Sequence, residues 1–131
     1  MAYLVDSDLT IDFLRNKLQA VSTIKRISGQ DIKISIASWI EVMYGIRKSK
    51  IAGQKQLGEF QQLLKSRQIS ILPLEEKAAD EFVSLKLDLE KKGERLADFD
   101  LFIAATAIAG NMTLVTGNKK HFSRIPRLKL L

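Results

Sequence analysis

Two carboxylates follow directly after an apolar run near the start of the chain. The run YLV (residues 3–5) is followed by Asp6, Ser7 and Asp8, in the local pattern D-x-D-x-T. Carboxylates just past a buried strand can bind a divalent cation, act on a phosphoester as nucleophile and acid, or cap the next helix. Ser7 and Asp8 can fill the cap equally well, so Asp6 is not needed for it. We therefore expect a functional role for Asp6.

A third carboxylate, Glu41, lies in the segment SIASWIEVMYG, shortly after a second apolar run, IKISI (residues 32–36). Ser38 and Glu41 also form the capping box S-x-x-E, in which the Glu side chain accepts a hydrogen bond from the backbone N–H of the Ser. Taken alone, the capping box is the stronger interpretation. A position beyond the end of a strand favours a function, and the spacing does not separate the two.

Asp98 and Asp100 begin a segment that is apolar nearly all round, from Leu101 to Ala109. Carboxylates in the first turn of a helix are stabilised by its dipole, by about 0.3–1 kcal/mol each. One capping residue would satisfy such a helix, so the second acid is surplus to its structure. We assign both to a site at the end of the sheet.

Thr116, Gly117 and Asn118 follow a fourth apolar run, TLV (residues 113–115). Thr and Asn are common in turns and caps, which is a sufficient structural explanation for both. Their hydroxyl and amide groups could also position a phosphate or a metal-bound water. Both interpretations stay open.

The composition limits which cofactor these residues can serve. The chain has no cysteine and one histidine, His121, which excludes thiolate sites and multi-histidine zinc sites within one chain. A Ser-His-Asp triad would need His121, and no nucleophile elbow is present. Any metal must therefore be held mainly by oxygen, which points to Mg²⁺ or Mn²⁺. The net charge of +6 suits a polyanionic partner such as nucleic acid.

The elements that would position these side chains alternate between strands and helices. We predict strands at 2–6, 32–36, 69–72, 113–115 and 128–131, and helices at 8–15, 17–28, 38–48, 54–66, 75–92 and 98–110. This order indicates one α/β domain over residues 1–131, with a mostly parallel sheet of four to five strands flanked by helices. Such sheets bind ligands beyond the carboxyl ends of their strands, where the acids above are placed.

Carboxylates that converge at one edge of a sheet repel one another, and a divalent cation removes that repulsion. Such an ion can polarise a phosphoryl oxygen and activate water. An acidic pocket on a basic protein is the expected arrangement of a metal-dependent nuclease. The start of the chain lacks a basic and a long apolar signal region, and residues 101–110 are too short to span a bilayer, so we expect a cytoplasmic protein.

Four segments together resemble the PIN-domain ribonucleases of the VapC toxin type. They are YLVDSDLTIDFL, SIASWIEVMYGI, DFDLFIAATAIA and TLVTGNKKHFSRIPRLKL, and they agree in order and spacing over nearly the whole chain. The resemblance implies a PIN-like three-layer sandwich and Mg²⁺-dependent cleavage of RNA, with Mn²⁺ as a substitute. It also implies inhibition by a small cognate antitoxin protein, a homodimer and a larger toxin–antitoxin complex.

The resemblance also implies roles for the acids. Asp6, Glu41 and Asp100 correspond to the first three acids of the family, and Asp98 is an extra acid seen in members with a D-F-D pattern. Asp6 and Asp100 would hold Mg²⁺. Glu41 and Asp98 would complete the pocket and orient the attacking water.

The last motif departs from the family pattern. Thr116 corresponds to the family's hydroxyl residue, whereas Asn118 stands where a fourth acid often occurs, so a second metal ion lacks one of its expected ligands. We expect both side chains to assist by hydrogen bonds. His121 stands where many members have Asp, and we predict a surface position for it. Candidates for contacts with the RNA backbone are Arg15, Arg47, Lys48, Lys50, Lys119 and Lys120.

Two alternative functions belong to other classes of protein. In a haloacid-dehalogenase-like phosphatase, Asp6 would be the nucleophile and Asp8 the acid, and Asp8→Asn would abolish activity. In the nuclease, the same variant keeps much of its activity. The other alternative is a non-catalytic PIN module that binds RNA or protein, in which the acids are structural.

Overall fold

The computed structural model describes residues 2–131, which form five strands and seven helices around one sheet. The strands are β1 (Ala2–Val5), β2 (Asp31–Ser35), β3 (Ser70–Leu72), β4 (Thr113–Val115) and β5 (Lys129–Leu130). The helices are α1 (Ser7–Leu14), α2 (Leu18–Arg26), α3 (Ile36–Lys48), α4 (Gly53–Ser66), α5 (Glu76–Lys91), α6 (Asp98–Ala109) and α7 (Lys119–Phe122). The predicted α/β class is confirmed, and α7 is an element that the periodicity did not predict.

The sheet has the strand order β3-β2-β1-β4-β5, and every neighbouring pair is parallel. The first strand lies at its centre because it pairs with β2 on one side and β4 on the other. All five strands therefore end at one edge. The chain leaves that edge directly into α1 after β1 and into α3 after β2, which places the starts of both helices beside each other.

Apolar side chains cover both faces of the sheet. On one face, Leu4 and Leu114 belong to a buried cluster with residues of α5 and α6. On the other face, Val5 and Val115 belong to a cluster with residues of α1 to α4. Successive strand residues point to opposite faces, which is why neighbours in β1 and β4 separate into the two clusters. The result is the predicted sandwich of helices, sheet and helices.

Helix α6 is buried on most sides, as its sequence predicts. Its N-cap is Ala97, which makes no side-chain hydrogen bond, so neither Asp98 nor Asp100 serves as the N-cap. The ring of Phe102 stacks on Phe82 of α5 with 4.2 Å between ring centroids. At 12 residues α6 does not reach across a bilayer, and no other helix within residues 2–131 is long and apolar enough to do so.

Helix α3 begins two residues before its predicted start, and this removes the capping box. Its N-cap is Ser35, whose hydroxyl accepts a hydrogen bond from the backbone N–H of Ser38 at 3.0 Å. Ser38 is already inside the first turn, and Glu41 lies in the second turn. The interpretation of Ser38 and Glu41 as a capping pair is therefore wrong, and the carboxylate of Glu41 is available for another contact.

Candidate active site

Asp6 occupies the junction between the central strand and α1. Its backbone N–H donates to the carbonyl of Val115 at 3.1 Å, which extends the pairing of β1 with β4 by one residue. Its carboxylate Oδ1 accepts a hydrogen bond from the backbone N–H of Leu9 at 2.8 Å, so Asp6 is the N-cap of α1. The prediction that the cap would fall to Ser7 or Asp8 is wrong. Asp6 is only 1% exposed.

Thr116 is held beside Asp6 because it follows the last residue of β4. The side chain of Thr116 forms a hydrogen bond with the carboxylate of Asp6, and its Oγ1 accepts the backbone N–H of Asn118 at 2.9 Å. The structure thus places Thr116 with the first acid, as predicted. The side chain of Asn118 is exposed at the rim of this site.

Glu41 reaches the same edge from α3. Its Oε1 accepts a hydrogen bond of 2.7 Å from the hydroxyl of Ser7, which connects the start of α1 to α3. Ser7 is buried, and its contact with Glu41 spans 34 positions of sequence. The sequence pattern predicts Ser7 only as part of the start of α1. The one indication of this contact in the sequence is the position of Ser7, directly after the acid that follows the central strand.

Asp100 and His121 meet at the third side of the site. Nδ1 of His121 lies 3.4 Å from Oδ2 of Asp100 and 3.3 Å from Nδ2 of Asn118. The side chain of His121 is 31% exposed, so it lies partly at the surface, and its ring also faces an acid of the site. The short helix α7 directs it there.

The structure does not bring Asp98 to the other acids. Its carboxylate accepts a hydrogen bond from Nζ of Lys86 at 3.1 Å, and its side chain is 59% exposed. Asp98 and Asp100 are two positions apart on one helix, and residues at that spacing do not face the same way. One of the pair had to point away from the site, and it is Asp98.

The acids share an environment that opposes their ionisation. Burial raises the pKa of Asp6 to about 7, against the opposing hydrogen bonds from Thr116 and Leu9, and the charges of Asp8 and Asp100 add to the rise. The charge of Asp8 therefore acts on Asp6, although the side chain of Asp8 is exposed.

The same cause operates at the other two acids. Burial raises the pKa of Glu41, opposed by the hydrogen bond from Ser7, and the charges of Asp100 and Asp8 raise it further. Burial also raises the pKa of Asp100, opposed by His121 and reinforced by Asp8. Each of the three acids lies within electrostatic reach of another, so their carboxylates share one edge of the sheet.

The residues present fit a hard divalent cation. Buried, mutually repelling carboxylates gain from a cation, and oxygen atoms are the ligands that Mg²⁺ prefers. Within residues 2–131 no group of three or more acidic, His or Cys side chains is arranged to hold a metal by itself. Mg²⁺ typically binds one or two carboxylates directly and takes its other ligands from water.

The chain resembles known proteins in both sequence and fold. The sequence model of the PIN domain matches residues 3–128. The chain is 33% identical to ribonuclease VapC2 of Rickettsia felis, over 99% of this chain and 96% of that protein. It is 32% identical to ribonuclease VapC1 of Methanocaldococcus jannaschii, over 97% and 83% of the two chains. The crystal structure of VapBC2 from Rickettsia felis, bound to a promoter DNA fragment, matches with a TM-score of 0.89 at 31% identity, covering 100% of this chain and 98% of that one.

Proposed function

Because this chain belongs to the PIN-domain family and, within it, to the VapC ribonucleases, we propose that it is a Mg²⁺-dependent endoribonuclease that acts as the toxin of a toxin–antitoxin pair. The observation that carries the proposal is the convergence of Asp6, Glu41 and Asp100 from three elements at one edge of the sheet. The match to the phosphatases does not extend beyond the D-x-D pattern, so that alternative is set aside.

Asp6 and Asp100 would hold the ion, and Mn²⁺ would serve in place of Mg²⁺ because both accept carboxylate oxygen. When bound, the cation supplies Lewis-acid polarisation of a phosphoryl oxygen and a water of lowered pKa. Leu9 and Thr116 fix the carboxylate of Asp6 by hydrogen bonds, and His121 contacts that of Asp100. Such outer contacts orient ligands and set their basicity.

Glu41 would orient the attacking water. Ser7 holds its Oε1, which leaves the other oxygen to accept a proton from that water. Its raised pKa moves this carboxylate toward the range in which a general base works best. Thr116 and Asn118 would add hydrogen bonds at the opposite rim. Asp98, which is paired with Lys86, has no part in this mechanism.

The partner would be a small antitoxin protein. The similar structure from Rickettsia felis is a VapBC2 complex with promoter DNA, which supports a toxin–antitoxin assembly for this chain as well. We expect the toxin to form a homodimer within it. Exposed apolar side chains available for such contacts include Ile40 and Tyr44 on α3, and Val83 and Leu87 on α5. An antitoxin Arg that reaches the acids would pair well with carboxylate geometry.

The test is cleavage of RNA by the purified protein after EDTA treatment, with and without added Mg²⁺. We expect cleavage only with the ion, and products with a 5′-phosphate. Asp100→Asn should lower the rate of cleavage by more than the roughly 10–100-fold that the loss of an outer contact of a metal site costs. Asp98→Asn is the matched control, since it makes the same change two residues away on the same helix, and it should cleave like the wild type.

Two results would contradict the proposal. If Asp6→Asn and Asp100→Asn cleave as well as the wild type, the acids are not the catalytic group. If the wild type cleaves no RNA with any divalent cation, the protein is a binding module instead. The second result would favour the non-catalytic alternative.

A further inference from the structure

The single imidazole of the chain is held in place at the edge of the site. His121 is the only histidine in the sequence. Its backbone N–H donates to the carbonyl of Asn118 at 3.2 Å, and the backbone N–H of Asn118 donates to Oγ1 of Thr116 at 2.9 Å. The next residue, Phe122, is buried in the core on the α5–α6 face of the sheet. Because the backbone is fixed on both sides of His121, its ring faces the site in a defined orientation.

Two polar groups face the Nδ1 atom of this ring. Nδ1 lies 3.4 Å from Oδ2 of Asp100 and 3.3 Å from Nδ2 of Asn118. Both distances exceed about 2.7–3.2 Å, the range of well-formed hydrogen bonds from nitrogen. A half-turn of the amide places Oδ1 of Asn118 where Nδ2 lies, so one nitrogen and two oxygens can face the same point. The side chains of His121 and Asp100 are 31% and 20% exposed, so an ion from solution can reach them.

The spacing of these atoms matches that of neighbouring ligands on one cation. Bonds of about 2.0–2.2 Å from a metal to nitrogen or oxygen separate adjacent ligand atoms by roughly 2.9–3.5 Å. The two distances at Nδ1 fall within that range. Asp100 offers a carboxylate, Asn118 a neutral carbonyl and His121 an imidazole, and water can complete the coordination shell. The arrangement therefore suits a metal ligand better than a hydrogen-bond donor.

We propose that His121 is a direct ligand of the cation that Asp100 holds, with the amide oxygen of Asn118 beside it. The inference rests on the proposed function for the ion itself, and it changes His121 from an outer contact to a ligand. A nitrogen ligand affects which cation is preferred, because imidazole suits first-row transition metals whereas Mg²⁺ takes oxygen. Mg²⁺ still binds through carboxylates, with water in place of the imidazole. The site should therefore bind Mn²⁺ and Co²⁺ more tightly than Mg²⁺.

The first test uses Mn²⁺ bound to the full chain, without RNA and without a histidine tag. Pulsed electron paramagnetic resonance detects the nuclear spin of a nitrogen that is bonded to Mn²⁺, and His121 is the only imidazole that can supply this signal. We expect nitrogen modulation in the wild type and in the control Asp98→Asn. We expect none in His121→Asp, which places a carboxylate at the same position.

The second test compares the affinities for Co²⁺ and Mg²⁺ by titration calorimetry. His121→Ala should lower the Co²⁺ affinity by about tenfold or more, because loss of a direct ligand costs at least as much as loss of an outer contact. Its Mg²⁺ affinity should change little, since Mg²⁺ keeps water readily. His121→Asp should bind Mg²⁺ at least as tightly as the wild type, which also shows that the site folds without the imidazole. Asp98→Asn should bind both ions like the wild type.

Three results would overturn the inference. They are a wild type that binds no Mn²⁺, bound Mn²⁺ without nitrogen modulation, and an equal loss of Co²⁺ and Mg²⁺ affinity in His121→Ala. The last two make His121 an outer contact that orients Asp100. The proposed function survives all three if the wild type cleaves RNA with Mg²⁺. If Mn²⁺ shows nitrogen modulation but the protein cleaves no RNA with any divalent cation, the assignment of His121 as a ligand stands and the proposed function fails.

Discussion

At the scale of single residues, Asp6 combines two roles that the sequence suggested would be separate. It caps α1 by accepting the backbone N–H of Leu9, and it is the most buried acid of the site. Both roles need a side-chain oxygen at the same place, just beyond the central strand. A carboxylate would be required only for the proposed metal binding, because an amide oxygen accepts the capping hydrogen bond equally well.

Two substitutions at Asp6 should therefore separate folding from catalysis. Asp6→Asn and Asp6→Ala should both lose cleavage, since neither offers a charged ligand. The Ala variant should in addition be less stable than the Asn variant by about 0.5–2 kcal/mol, the typical value of an N-cap. Urea unfolding of the two variants measures this difference. Equal stability of the two would show that the hydrogen bond to Leu9 does not stabilise α1.

Ser7 is expected to matter only through Glu41. Ser7→Ala removes the 2.7 Å hydrogen bond to Oε1 and leaves the carboxylate free to turn away from the attacking water. We expect kcat to fall by about 10–100-fold, the usual cost of losing an outer contact in a metal site, with little change in KM. In a Glu41→Gln background, Ser7→Ala should have almost no further effect on kcat. If the losses of kcat from the two substitutions add up in the double variant, Ser7 acts independently of Glu41.

At the scale of elements, apolar periodicity predicted the strands and all the helices but one. The five predicted strands are found, and TLV matches β4 at both ends. The missed helix, α7, has four residues, which is too short for a periodic pattern to emerge. The start of α3 was misplaced because two serines three positions apart could each cap it, and only the fold shows that Ser35 does.

The sequence predicts those residues of the site whose positions follow from the ends of strands and the starts of helices. Asp6 and Thr116 follow strands, and Asp100 lies in the first turn of a buried helix, so the topology brings them to one edge. The contacts of Ser7 with Glu41 and of His121 with Asp100 join residues 34 and 21 positions apart. Such contacts depend on how helices pack, and no local pattern in the sequence encodes them.

The junction of α3 and α4 is the element-level contact most sensitive to a single methyl group. A Cβ added at Gly53 would lie 2.8 Å from the backbone carbonyl oxygen of Ile46, which cannot move without shifting α3. Gly53→Ala should therefore destabilise the protein by about 1–3 kcal/mol. Because α3 also carries Glu41, cleavage should decline with it.

Gly58, on the same helix, is the matched control. A Cβ there meets nothing within 4 Å, so Gly58→Ala should stabilise the protein by about 0.5–1 kcal/mol through helix propensity. Chemical denaturation of both variants provides the comparison. A Gly53→Ala protein as stable as Gly58→Ala would mean that the α3–α4 junction is adaptable.

At the scale of the whole molecule, the acids make the stability of the metal-free protein depend on pH. The pKa of Asp6 is about 7 in the folded protein, against an ordinary value of 3.8, so the folded state binds more protons than the unfolded state between these values. Stability must then decline as pH rises through this window. The raised pKa values of Glu41 and Asp100 act in the same direction.

We expect the metal-free protein to unfold at a lower temperature at about pH 8 than at about pH 5, with Asp6 alone contributing on the order of 2–3 kcal/mol to this difference. The comparison is a thermal unfolding series in the presence of EDTA. Asp6→Asn should flatten the profile, because its amide does not ionise. If the unfolding temperature of the wild type rises from about pH 5 to about pH 8, the pKa values of the buried acids are not raised in the folded protein.

Added Mg²⁺ should offset this dependence, because protons and the cation compete for the same oxygens. At about pH 8 Asp6 is mostly ionised, and the charges of Asp8 and Asp100 repel it. Binding of the ion should then stabilise the protein by about 2.7 kcal/mol at 100 times its Kd, which raises the unfolding temperature. At about pH 5 the protonated Asp6 binds the ion poorly, and the same concentration should have little effect. Asp100→Asn should lose the stabilisation at the higher pH and Asp98→Asn should keep it, so equal responses of these two variants would show that the ion binds elsewhere.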